Sequence, residues 1–181
     1  MERFYTKIVG MPVVEDDGIR ALARVKDVLM DPETGKVLAF VVNVSRNLVI
    51  TPLDIISWHD VVHIRSRDEI ISGDDILRVQ TVRKSGGKIF HNRVETKGGK
   101  YLGEVADFSI DNHLMVLKKL FVAKDVLGLF RYDTRVIPAK NILEILPDKI
   151  VVKDDLATVK EAVEEKPGRR RAGTMEDMAV T

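Results

Sequence analysis

The sequence predicts a mainly β protein: two tandem small β-barrels, joined by a short linker and followed by a C-terminal helix. Three observations carry this. The stretch Arg135-Val136-Ile137-Pro138-Ala139-Lys140-Asn141-Ile142-Leu143-Glu144-Ile145, followed by Asp148-Lys149-Ile150-Val151-Val152, is echoed by Val49-Ile50-Thr51-Pro52-Leu53-Asp54-Ile55-Ile56 and Asp60-Val61-Val62-His63-Ile64. In both, an apolar pair leads to a proline, an Ile-rich run, an acidic turn and an apolar strand. Val25-Lys26-Asp27, four residues before Asp31, recurs as Val105-Ala106-Asp107, four residues before Asp111, at a shift of 80 residues. Finally, Val37-Leu38-Ala39-Phe40-Val41-Val42 is a continuous apolar run of strand length, which suits a strand buried on both faces, as in a small closed barrel. A repeat of this length in two copies points to two similar domains, since a solenoid needs more copies.

Taken in order, residues 1–7 are a short lead-in. Val13-Val14 ends at Glu15-Asp16-Asp17-Gly18, a strand and a turn in which Gly18 supplies conformational freedom. Leu22 to Met30 mixes β-branched and polar residues and reads as one strand. Asp31-Pro32-Glu33-Thr34-Gly35 is a turn, with proline fixing φ and glycine accepting the left-handed position. The apolar run follows, then the Ser45-Arg46-Asn47 turn and a strand over Leu48 to Thr51, whose ladder Pro52 breaks as at a corner. Val61 to Ile64 closes the first unit, residues 1–66. Residues 67–87 form the linker, where Ser72-Gly73-Asp74-Asp75 caps a short helix over Ile76 to Arg83. The second unit spans 88–153. Val94 to Lys100 is a strand and glycine turn, and Tyr101 to Ile110 matches Leu22 to Met30. Leu114 to Ala123 matches Val37 to Val44. The shift grows to 86 at the prolines, which places about six extra residues within Lys124 to Thr134. Residues 154–181 comprise a helix with Leu156, Val159 and Val163 on one face, stopped by Pro167-Gly168, and a disordered tail.

The 29 basic and 28 acidic side chains nearly cancel. A chain so balanced has no global field to draw it to nucleic acid, though a local patch is compatible with that balance. With no cysteine, neither a disulfide framework nor a thiolate metal site can form. The first ten residues contain Glu2, Arg3 and Lys7 and no leader-like apolar core. No apolar run approaches the roughly 20 residues that span a bilayer. These features place the chain in the cytoplasm as a soluble protein.

Candidate chemistry is sparse. His59 and His63 have the spacing of a helical metal pair, but they fall on a turn and strand, where a rise of about 3.3 Å per residue parts them by about 13 Å. Asp27, Asp31, Asp107 and Asp111 obey the repeat, and aspartate at a strand end bonds its own turn backbone. Gly86-Gly87-Lys88 and Gly98-Gly99-Lys100 lack the spacing and following helix of a phosphate loop, so they read as hairpin turns. No nucleophile elbow is present. The reading is therefore no catalytic residues, no cofactor and no metal. Two features are interaction candidates. One is the apolar loop of the second unit, with Val126, Leu127, Leu129, Phe130 and Tyr132, which either caps the barrel or is exposed to a partner. The other is Arg169, Arg170 and Arg171 of the tail, suited to anionic lipid or RNA phosphate.

The motifs resemble the PRC-barrel family, the small β-barrels of the photosynthetic reaction centre H subunit and of the ribosome maturation factor RimM. The residues that carry the resemblance are Gly18, Val25-Lys26-Asp27-Val28 and Asp31-Pro32-Glu33-Thr34-Gly35. In the second copy they are Gly99, Gly103-Glu104-Val105-Ala106-Asp107 and Val136-Ile137-Pro138-Ala139-Lys140-Asn141-Ile142. The resemblance covers roughly 8–65 and 88–153. It implies a non-enzymatic scaffold or adaptor that binds another protein. A homodimer, an RNA-associated role by analogy with RimM, and peripheral membrane contact through residues 154–171 stand as the alternatives.

Overall fold

A computed structural model describes residues 1–16, 18, 20–85, 88–125 and 132–155. The lead-in forms β1 (Glu2–Phe4) and α1 (Tyr5–Ile8). The first half then runs through β2 (Pro12–Glu15), β3 (Ala21–Arg24), β4 (Asp27–Met30), β5 (Val37–Asn43), β6 (Leu48–Ile50), β7 (Ile55–Trp58) and β8 (Val62–Ile64). Next come β9 (Ile71–Ser72) and α2 (Leu77–Ser85). The second half comprises β10 (Arg93–Thr96), β11 (Tyr101–Asp111), β12 (Val116–Asp125), β13 (Tyr132–Pro138), β14 (Ile142–Ile145) and β15 (Lys149–Val152).

The expected repeat shows in the detail of the turns. Asp27 Oδ1 accepts the Val28 N–H at 2.8 Å, and Asp107 Oδ1 accepts that of Phe108 at 2.8 Å. Asp31 accepts the N–H groups of Glu33 and Thr34, as Asp111 accepts those of His113 and Leu114. These carboxylates hold their own turns, which is the Asx chemistry of strand ends. Gly35 at φ 66° corresponds to Met115 at φ 51°. The first strand of each half pairs in parallel with its last, Val13 opposite Val62 and Val94 opposite Ile150. The two turns also meet one another: Val37 N donates to Met115 O and Leu117 N to Gly35 O, both at 2.8 Å. That reciprocal pair is what a two-fold axis between the halves would generate.

Neither half closes into a hydrogen-bonded barrel among the described residues, a correction to the expected architecture. The first half forms two four-stranded sheets, β3-β2-β8-β7 and β4-β5-β6-β9. The second forms a seven-stranded sheet, β13-β12-β11-β10-β15-β14 with β1 added on β11. Its end strands, β13 and β14, are linked by the chain itself through a 3-10 turn at Ala139–Asn141, in place of a ladder. The corner at Pro52 is likewise a 3-10 turn, Pro52–Asp54, between β6 and β7.

Leu22 to Met30, expected as one strand, is two. The chain bends at Val25, whose N–H and C=O bond Met11 and Gly10. Its counterpart β11 is continuous, and two features explain the difference. Gly103, at φ 134°, lets β11 approach β12 so closely that a Cβ there would lie 2.7 Å from the Ala123 carbonyl carbon. The corresponding residue in the first half is Ala23. In addition, β12 runs on to Asp125, whereas β5 stops at Asn43, whose side chain accepts the Arg46 N–H and turns the chain.

β5 is buried on both faces as expected, with Ala39 and Phe40 both at 0% exposure, but for a different reason. One face joins the main core, and the other lies under α2, where Ala39, Val41 and Val49 pack with Val79. Helix α2 is pinned by Arg78, which donates to both Asp31 carboxylate oxygens at 2.9 Å and pairs with Glu33. The main core draws on both halves, from Ile8, Phe40 and Trp58 to Phe108, Leu120 and Ile150. Strand β1 crosses over to pair with β11, Arg3 opposite Ile110.

Candidate functional site

Most of the interaction residues picked from the sequence lie outside the described residues. Val126, Leu127, Leu129, Phe130, Arg169, Arg170 and Arg171 all do, and so do Gly86-Gly87 and the helix expected after residue 155. Tyr132 opens β13 through its backbone, while its side chain is likewise undescribed. His59 lies in the exposed turn after β7 and His63 on β8. Gly99, at φ 83°, makes the β10–β11 hairpin turn, with Gly99 N donating to Thr96 O at 2.9 Å. No helix among the described residues is long and apolar enough to cross a membrane.

The structure draws attention instead to a cavity of about 500 Å³ where the halves meet, within the size range of ligand pockets. Its walls come from α1, β4, β5, the end of α2, the segment 88–91 and β11. Tyr5 is the hinge of the site. Helix α1 drops its ring between the halves, 4.7 Å from Phe90 and 4.7 Å from Phe108. Its hydroxyl donates to Asp27 Oδ1 at 2.9 Å. Burial and then the neighbouring Asp27 carboxylate push the phenol well above its ordinary range, so Tyr5 stays protonated and serves as a hydrogen-bond donor. On the other half, the neighbouring Thr6 donates its hydroxyl to Asp107 Oδ2 at 2.6 Å. Adjacent residues of one short helix thus hold the two equivalent aspartates.

The wall is mainly apolar, with Val28, Leu29, Val41, Val82, Phe90 and Phe108. Arg83 and Lys88 supply positive charge at its edge, beside His91, whose ring lies 4.0 Å from that of Phe90. His91 takes φ 61° in the position that Gly10, at φ 92°, holds in the first half. Nη1 of Arg83 is buried and has no hydrogen-bond partner among the described residues. Sequence reading passed over this site because its members are scattered from Tyr5 to Phe108 and form no spaced motif. The usable signal was the repeat itself. Asp27 and Asp107 belong to the repeat, but the hydroxyls that bond them come from Tyr5 and Thr6 of the lead-in.

Residues 1–86 match the family model of the PRC-barrel domain. That stretch holds Gly18 and the aspartate turns at Asp27 and Asp31, which carry the resemblance in the first half. The match takes in β1 and α1, which pack on the second half, and α2, which covers β5. No curated protein matches the chain.

Proposed function

We propose that the protein is a non-enzymatic adaptor of the cytoplasm, built of two PRC-barrel-like units, that takes a segment of a partner protein into the cavity between them. The observation that carries this reading is the cavity itself. It is walled by both halves, mainly apolar, and lined by Arg83 and Lys88 as well. An interface with a central apolar pocket and an arginine at its margin has the anatomy of a protein-binding hot spot. Within it, Tyr5 is held protonated as a hydrogen-bond donor, and Asp27 Oδ1 accepts both the Tyr5 hydroxyl and the Val28 N–H.

Affinity capture from the native host, quantified by mass spectrometry, tests this. Val44 lines the cavity and is 61% exposed, so Val44→Arg fills the site without entering the core. The wild-type chain should retain partners that Val44→Arg and Arg83→Glu both lose, with melting temperatures unchanged. Partners retained equally by all three proteins would contradict the reading.

A further inference from the structure

The break between β3 and β4 leaves a second cleft, of about 520 Å³, in the first half. It opens between β3, the end of β5, the β5–β6 turn and the segment around residues 67–70. Four cations line it, Arg24, Lys26, Arg46 and Arg67, and none of its lining residues is acidic. All four are exposed. None forms an ion pair among the described residues. Arg24 is fixed in place by donating Nη1–H to Gly10 O at 2.9 Å, and the Arg67 backbone N–H is held by Glu15. The floor between them is aliphatic, with Leu22, Leu48 and Ile70.

The second half is an internal control for this cluster. At the positions of Arg24 and Lys26 it carries Glu104 and Ala106, and there β11 continues in its pairing with β12, Glu104 opposite Ala123, in place of a break. The repeated strand therefore does not require a cation at the positions of Arg24 and Lys26. Like charges gathered without partners repel one another, and the chain as a whole carries only +1. A local concentration of this kind is explained by an anionic ligand.

We propose that this cleft binds an extended acidic segment of a partner protein, one that alternates carboxylates with aliphatic side chains. The carboxylates meet the four cations, and the aliphatic groups meet Leu22, Leu48 and Ile70. Charge complementarity names the acidic component, and the aliphatic floor names the rest. Nucleic acid is the poorer fit, because binding of single strands uses aromatic platforms for base stacking and no aromatic residue lines the cleft. The site is separate from the cavity at the junction of the halves, so either assignment can fail alone.

The test is fluorescence anisotropy with a labelled peptide of about ten residues alternating Leu with Asp and Glu. Three competitors accompany it: the same peptide with Ser for Leu, oligouridine of matched charge, and phosphatidylserine vesicles. The Leu peptide should bind the full chain and weaken as salt rises from about 50 to about 500 mM. Arg46→Glu with Arg67→Glu should weaken it by about tenfold or more. Should the double variant fail to melt like the wild type, Lys26→Glu alone decides, with a loss of at least about threefold expected. Equal binding of the Leu and Ser peptides, tighter binding of oligouridine or of vesicles, or indifference to charge reversal would each overturn the proposal.

Discussion

Gly103 is the residue on which the difference between the halves turns. Its φ of 134° is open to glycine and strained for other residues. A Cβ would also overlap the Ala123 carbonyl, which is backbone and cannot yield as a side-chain end could. Gly103→Ala should therefore cost about 3 kcal/mol, read as a fall in the urea midpoint at constant m. Ala23→Gly, at the equivalent place in the first half, should cost less than about 1 kcal/mol. Asp31 gives a prediction in pH. Arg78 donates two hydrogen bonds to it, and together with the Glu33 and Thr34 N–H groups holds its carboxyl below the usual carboxylate range, against the opposing effect of burial. Because the folded value is the lower one, the unfolded chain binds the proton more readily. The contribution is thus complete above the unfolded value of about 4 and is lost as pH falls through the folded value. Urea midpoints between about pH 2 and about pH 7 should show this acid limb, and Asp31→Asn should flatten it.

The reach of sequence reasoning is clearest among the elements. The paired aspartate turns were legible because an Asx turn is local: the aspartate and the N–H groups it accepts lie within three residues. The burial of β5 was legible from its unbroken apolar run, but what covers it was not. Its outer face lies under α2, a helix whose Val79, Thr81 and Val82 favour strand, so that local preference and tertiary packing disagree. The cavity was illegible for the same reason, since a phenol at residue 5 and an aspartate at residue 27 meet only once the lead-in has packed between the halves. Val79 is fully buried against Ala39, Val41 and Val49. Val79→Ala should cost about 2 kcal/mol, and should raise amide exchange in β5 and β6 more than in β11 and β12.

At the scale of the whole molecule, the two halves share one core. The main cluster runs from Ile8 through Phe40 and Trp58 to Leu120 and Val152. The halves are joined further by the β1–β11 pairing and by the reciprocal bonds between Val37 and Met115 and between Leu117 and Gly35. The cavity between the halves exists only if this core holds them in register. The chain has one tryptophan, Trp58, 4% exposed and packed on Phe40 in the first half. It reports on the first half alone, whereas Leu120 is fully buried in the second. The most direct measurement is therefore urea unfolding of Leu120→Ala, followed by Trp58 fluorescence and by far-UV circular dichroism together. A shared core predicts that the Trp58 transition moves with the ellipticity transition, by an amount equivalent to about 3 kcal/mol. A Trp58 midpoint that stays at its wild-type value while the ellipticity splits into two transitions would contradict it.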